Sequence, residues 1–291
     1  MNGKLVILAG GISSRMKLPD ASDGLIDEKL LDDADSKSKT MIRIGDNDRP
    51  FLDYLLFNVC KVGYKEIVIV VGEKDSSIKD YYNKLRSEND FKVLEITYAV
   101  QPIPGGREKP LGTADALLWG LKSKPEWKGS TFIVCNSDNL YSQRALKLLL
   151  NSPYQNAMID YDRRGLEFEK KRIEKFAVTI KDKEGFLIDI IEKPSNEEIQ
   201  KVEDADGFIG VSMNIFRLNF DIIFSFLENV PIHPVRKEKE LPSAIKMMID
   251  RFPKSLFTYR LNEHVPDLTS KNDILKVKKY IEEEFPNFSA K

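Results

Sequence analysis

Cysteine and histidine are scarce, at two residues each among 291, and that scarcity removes whole classes of chemistry. Cys60 and Cys135 cannot build a disulfide framework, and no Cys/His spacing suits a zinc centre. No apolar run approaches the length of a membrane span or a signal-peptide core. Met1-Asn2-Gly3-Lys4 leads directly into a strand-like segment, so the expectation is a cytoplasmic chain with no membrane partner. Charge is balanced, with 45 Lys and Arg against 46 Asp and Glu, which leaves no basic field to attract nucleic acid. Internal repeats and low-complexity tracts are absent as well. What remains has the composition of an ordinary globular chain, long enough to bury a substantial core as one large domain or two small ones.

Against that plain background one segment stands out: Leu8-Ala9-Gly10-Gly11-Ile12-Ser13-Ser14-Arg15-Met16, directly after the apolar run Leu5-Val6-Ile7-Leu8. Paired glycines let backbone N–H groups approach a ligand closely, and an arginine adds a forked positive charge. Both suit a phosphate chain.

Strand-like and helix-like patterns then alternate. Ile67–Val71, ending at Gly72, and Thr131–Cys135 read as fully buried strands. Phe51–Cys60 and Thr113–Leu121 carry apolar residues at helical spacing, with Thr113 a candidate N-cap, and Ser142 caps a helix from Ala145 to Leu150. This alternation predicts an α/β fold with a mostly parallel central sheet flanked by helices, ligands binding beyond the carboxyl ends of the strands. After residue 155 the strands Ala177–Ile180, Phe186–Ile191 and Ile209–Phe216 mark a smaller β-rich region on the acceptor side, the first two joined by a hairpin turn at Asp182–Gly185. Ser270 and Asp273 signal a capped C-terminal helix with an Ile274, Val277, Ile281 stripe, packed at home or against a second subunit, so a homo-oligomer stays open. The acidic stretch Lys17–Ser38 reads as an irregular surface excursion or as a flap beside the glycine loop. Asp160–Arg164 and His233–Lys237 read as solvated charge, and Cys135 as a core thiol.

Several segments in order resemble the sugar-1-phosphate nucleotidyltransferases, from Leu5 to about Ala244. They are the glycine loop with Arg15, Ser38-Lys39-Thr40-Met41-Ile42, Tyr98–Pro104 around Gln101, Leu111-Gly112-Thr113-Ala114-Asp115-Ala116, Asn136-Ser137-Asp138-Asn139, and Ile191-Glu192-Lys193-Pro194. The resemblance implies a single glycosyltransferase-A-like domain over 1–291, with a nucleotide-binding half at 1–150, a sugar-binding half at 151–268 and a C-terminal helix at 269–286. It implies in-line attack of a sugar-1-phosphate on the α-phosphorus of a nucleoside triphosphate, which calls for charge neutralisation and alignment.

By the same resemblance, Arg15, Lys39 and Asp138 are the catalytic residues. Leu8, Ala9, Gly10, Gly11, Gln101, Gly112 and Thr113 bind the nucleotide, Gln101 reading the base. Glu192, Lys193 and Asn214 bind the sugar-1-phosphate. Mg²⁺ is the implied cofactor, held by Asp138, with Asn219 as second ligand by rough alignment.

Some features depart from the pattern. Ser13 stands where these enzymes often have another glycine, so the loop looks equally like that of molybdopterin guanylyltransferases and cytidylyltransferases. Those relatives place their lysine soon after the loop, whereas here Met16–Ser38 intervenes, which favours the sugar branch. An extra segment, Gly105–Pro110, separates Gln101 from Gly112 and brings Arg107 or Lys109 within range of a phosphate. Uridylyl or thymidylyl transfer is the expectation from the surroundings of Gln101. A sugar-nucleotide-binding regulatory protein without turnover is the alternative from another class.

Overall fold

The computed structural model describes residues 3–19, 23–84 and 91–289. Among these, nine strands form one sheet: β1 (Gly3–Ala9), β2 (Tyr64–Gly72), β3 (Glu95–Gln101), β4 (Thr131–Asn136), β5 (Ala157–Asp162), β6 (Val178–Lys181), β7 (Leu187–Ile191), β8 (Gly210–Asn219) and β9 (Phe257–Leu261). The main order is β3-β2-β1-β4-β8-β5-β9, with the β6–β7 hairpin attached to β8. β1, β2, β3 and β4 are mutually parallel, β8 runs against both β4 and β5, and β9 is parallel to β5. The fold is the mixed α/β architecture with a mostly parallel sheet that the alternation predicts. The β-rich second half extends the same sheet.

Helices cover both faces: α1 (Glu28–Ser36), α2 (Phe51–Val62), α3 (Ser77–Lys84), α4 (Thr113–Lys122), α5 (Gln143–Leu150) and α6 (Lys170–Ile173) in the first part. α7 (Asn196–Val202), α8 (Phe220–Asn229), α9 (Leu241–Arg251), α10 (Lys271–Glu284) and α11 (Pro286–Ser289) follow. Side chains alternate across a strand, so each central strand divides its apolar residues between two cores. Leu5, Ile7, Ile67 and Ile69 join α2, α5 and α10 on one face, whereas Val6, Leu8, Val68 and Val70 join α4, α8 and α9 on the other. This is why the strands read as unbroken apolar runs rather than alternating ones.

Several local details differ from the sequence expectation. Thr113 does not cap α4: Gly112 occupies the cap position, and the Thr113 hydroxyl accepts instead from the backbone N–H of Leu241. The acidic stretch is not irregular throughout, because Asp27 caps α1 and the buried Asp33 pairs with Arg43 and Lys37. Asp20, also in that stretch, lies outside the described residues. Asp160 and Asp162 are not solvated: both are buried in β5, where Asp160 accepts from Thr179 and Lys181, and Asp162 from Arg164. The α10 stripe of Ile274, Val277 and Ile281 is buried in the chain's own core.

Burial is opposed by desolvation at Asp53, in the first turn of α2. Its carboxylate is 1% exposed, accepts from the Tyr82 hydroxyl at 2.7 Å and faces Arg49 at 3.3 Å. Desolvation lifts its pKa from 3.8 to about 6, against the pull of Tyr82 and Arg49. A carboxyl raised on folding contributes stability that is fully present below its unfolded pKa and is lost as pH rises through the folded one. The expected loss across this window is about 3 kcal/mol. Asp53→Asn is therefore expected to flatten this component of the stability profile, measured by urea unfolding at about pH 4 and about pH 7. An unchanged difference between the two pH values would refute it.

Candidate active site

Strand register alone assembles the centre of the site. Leu8 pairs with Asn136, so Gly10 and Asp138, each two residues further on, leave the sheet at the same level. Ala9 pairs with Val71 and Gly72 with Gln101, so the glycine loop and Gln101 also share this carboxyl edge. A cavity of about 230 Å³ opens there. Its lining includes Leu8, Ala9, Gly10, Gly11, Lys39, Gln101, Gly112, Thr113 and Asp138, joined by Ser13, Lys109, Asn136 and Glu238. A second cavity of about 290 Å³ lies across the loop and shares Gly10, Gly11, Ile12 and Ser13.

The lysine segment is folded back onto the loop. Ser13, in the left-handed region at φ 54°, accepts the Lys39 backbone N–H at 3.1 Å through its hydroxyl. The Lys39 ammonium then forms an ion pair with Asp138 across a long separation in sequence. Both side chains are mostly buried, so the pair is only partly screened by solvent.

Gln101 is 2% exposed, and both hydrogens of its amide are used: Nε2 donates to the Gly112 carbonyl at 2.9 Å and to Asp115 Oδ2 at 2.8 Å. Gly10 lies flush against this amide, since a Cβ there would stand 2.8 Å from Gln101 Oε1. Gly112 has a φ of 101°, and a Cβ on it would meet the Lys239 carbonyl at 2.7 Å. The packing that demands glycine here is thus the loop at Glu238–Lys239, which forms one wall of the cavity. That loop is tied down by the Arg107 guanidinium, which donates to the Lys237 carbonyl at 2.6 Å, and by Arg236, which pairs with Glu192 and Glu240. His233–Lys237 is therefore not merely solvated charge.

A second carboxylate at the site escaped sequence reasoning. Asn139 bridges to Asp267, the Leu140 N–H donates to the Pro266 carbonyl at 2.9 Å, and the Leu268 N–H to the Asp138 carbonyl at 2.8 Å. The loop after β9 is thereby sewn to the loop after β4, bringing Asp267 beside Asp138. Burial first, and then the charge of Asp138, push the Asp267 carboxyl above its usual range, against Arg172, Thr269 and Lys39. Arg172 holds Asp267 Oδ2 at 2.7 Å while also pairing with Asp273 of the α10 capping box, and Thr269 donates to Asp267 Oδ1 at 2.5 Å. Asn219 is not a second ligand. It pairs with Thr131 at the far end of β4, roughly 17 Å of strand below Asn136. There its Oδ1 accepts from the Ile222 N–H and caps α8.

Not every proposed residue meets in the cavity. Asn214, at φ 55° in β8, comes one residue before Ile215, the partner of Cys135, and lies outside the lining. Arg15, Glu192 and Lys193 are exposed and also lie outside it, Lys193 with a φ of 49°. Cys135 is fully buried, and desolvation raises its thiol, which rules against a thiolate nucleophile. His264 Nδ1 accepts from the Glu167 N–H at 3.2 Å, a structural contact.

A family model described as nucleotidyl transferase matches residues 29–282, and the chain belongs to that family. Within it the motif resemblance holds: the chain groups with the sugar-1-phosphate nucleotidyltransferases. It is similar to the bifunctional protein GlmU of Staphylococcus haemolyticus, at 24% identity over 252 residues, covering 86% of this chain and 46% of that protein. It is also similar to the D-glycero-alpha-D-manno-heptose 1-phosphate guanylyltransferase of Campylobacter jejuni, at 28% over 164 residues, 55% of this chain and 60% of that one. The chain thus spans about half the length of the curated relatives it matches. Among solved structures, a UDP-glucose pyrophosphorylase complexed with UDP-glucose superposes with a TM-score of 0.69 at 21% identity, covering 98% of this chain and 100% of that one. A UTP-bound UGPase from Acinetobacter baumannii gives 0.67 at 20%, covering 99% and 96%. These likenesses establish the shared fold.

Proposed function

We propose that the chain transfers a nucleotidyl group from a nucleoside triphosphate to a sugar-1-phosphate, yielding a nucleoside-diphosphate sugar and pyrophosphate. One observation carries the reading: the glycine loop, Lys39, Gln101 and Asp138 line a single cavity at the carboxyl edge of the sheet. In the reaction a sugar-phosphate oxygen bonds to the α-phosphorus as the α–β bridging bond breaks, and pyrophosphate departs with the electron pair. The protein neutralises and aligns two polyanions. Lys39 would meet the charge on the α- and β-phosphates, and the loop N–H groups the triphosphate. Arg15, from the surface beside the loop, would close over the departing pyrophosphate. Lys193 would meet the sugar phosphate, with Glu192 and Asn214 toward the sugar hydroxyls.

The donor set fits Mg²⁺. Asp138 and Asp267 are two hard oxygen donors that the joined loops after β4 and β9 bring to one place. No group of three or more His, Cys, Asp or Glu able to hold a metal occurs among the described residues, so phosphate and water would complete the shell, as Mg²⁺ favours. The ion would supply Lewis-acid polarisation of the phosphate. A uridine or thymidine triphosphate is the expected donor.

The test is pyrophosphate release by the purified chain with Mg²⁺ across a panel of nucleoside triphosphates and sugar-1-phosphates. Release is expected only with a matched pair. Silence across the panel, with nucleotide still bound, would overturn the transfer in favour of a sugar-nucleotide-binding regulatory role.

A further inference from the structure

We infer that Asp115 is a positioning residue that decides which bases the site accepts, by fixing which end of the Gln101 amide faces the cavity. The inference rests on the nucleotidyl-transfer reading and deepens it.

A glutamine amide is two-faced: free to rotate, it offers either a donor or an acceptor to a base edge. Here it is not free. A backbone carbonyl can only accept, so the Gly112 contact assigns Nε2 to that side without ambiguity. Asp115 Oδ2 takes the second hydrogen at 2.8 Å. Both donors are consumed. Oε1 is left against Gly10, with no hydrogen bond from any described residue, in a cavity that Gly10 and Gln101 both line. Asp115 is well placed to stay in this role. It occupies the third position of α4, where the helix N-terminus favours negative charge, and it is only 8% exposed.

The chemical consequence is an acceptor-only reader. A base must then bring a hydrogen on the ring nitrogen it presents. Uracil and thymine do so through N3–H, and guanine through N1–H. In the pose that brings the ring nitrogen to Gln101 Oε1, cytosine N3 and adenine N1 present lone pairs, acceptor to acceptor, and only a shifted base could offer its exocyclic amine instead. Rejection follows because a buried polar atom left without a partner loses its hydrogen bond and its water together. Replacing Asp115 by alanine leaves the Gly112 carbonyl as the one protein acceptor among the described residues and admits water, which donates as readily as it accepts, so a turned amide forfeits one bond instead of two.

The experiment compares kcat/KM for UTP, GTP, CTP and ATP in the wild type, Asp115→Ala and Asp115→Asn, beside direct binding of UTP and CTP by calorimetry. Wild type is expected to favour the ring N–H bases. Asp115→Ala should narrow the preference for UTP or GTP over CTP at least tenfold, and Asp115→Asn, whose amide can hold either end of Gln101, about threefold. Damage to the fold would lower all four rates together and leave their ratio intact. If the alanine variant does not fold, the asparagine variant decides. An unchanged ratio in a folded variant, or a wild type that uses CTP as well as UTP and GTP, overturns the inference. Selective binding of UTP over CTP without turnover would sink the transfer reading and leave the inference standing.

Discussion

Asp138→Asn is expected to cut pyrophosphate release by about a thousandfold or more while the protein stays folded. Removing a single preorganised charge partner from a transition state commonly costs about a hundred- to a thousandfold. Asp138 does more than one such partner. It holds the Lys39 ammonium across the cavity and has the Asp267 carboxylate beside it. Asparagine keeps the shape and loses the charge, so the ammonium loses its ion-pair partner and a divalent cation one of its two carboxylates. The fold should hardly notice. Asp138 sits in a loop, its backbone carbonyl still accepts from Leu268, and Lys39 can turn toward solvent. The stability loss should stay near 1 kcal/mol, because the Lys39 ammonium lines an open cavity and regains water once its partner is neutral. Steady-state pyrophosphate release together with thermal unfolding checks both halves. Turnover within tenfold of wild type would remove Asp138 from the chemistry.

How much of this was readable in the chain follows from how local each signal is. The glycine loop and Asp138 each end an apolar run, so the strand pattern and the site announce one another. Parallel pairing of β1 with β4 then does the rest, because equal distances past Leu8 and Asn136 bring Gly10 and Asp138 level. Asp267 carries no such cue. It follows β9 in a loop and reaches the site through backbone bonds at Asn139 and Leu268 that no spacing rule predicts. Asp115 was hidden for another reason: at the third position of a helix an Asp reads as favourable dipole chemistry, and its turn toward Gln101 is a tertiary event. Charge within strands was misread at Asp160 for a related cause. Propensity treats a strand aspartate as exposed, yet Lys181 on β6 supplies the counter-charge that makes burial tolerable. Asn219 was assigned by alignment, and the antiparallel run of β8 carries it to the opposite edge.

That last distinction gives the second large effect. Asp267→Asn is expected to lower turnover at least a hundredfold and to raise the Mg²⁺ concentration needed for half-maximal rate. The first expectation follows because even outer-shell partners of a metal cost about ten- to a hundredfold when lost. The second is what separates ligation from scaffolding. Arg172 keeps Asp273, Thr269 keeps an oxygen to donate to, and the loop keeps its bonds to Asn139 and Asp138, so the backbone is still held. A purely structural Asp267 would lower the maximal rate and leave the metal requirement where it was. Asn219→Ala should do the reverse. Loss of its cap on α8 costs about 1 kcal/mol of stability, with rate and metal dependence unchanged. Titrating Mg²⁺ against rate in both variants, with urea unfolding alongside, sets the two positions against each other. A metal requirement that moves in Asn219→Ala, and not in Asp267→Asn, would reverse the assignment.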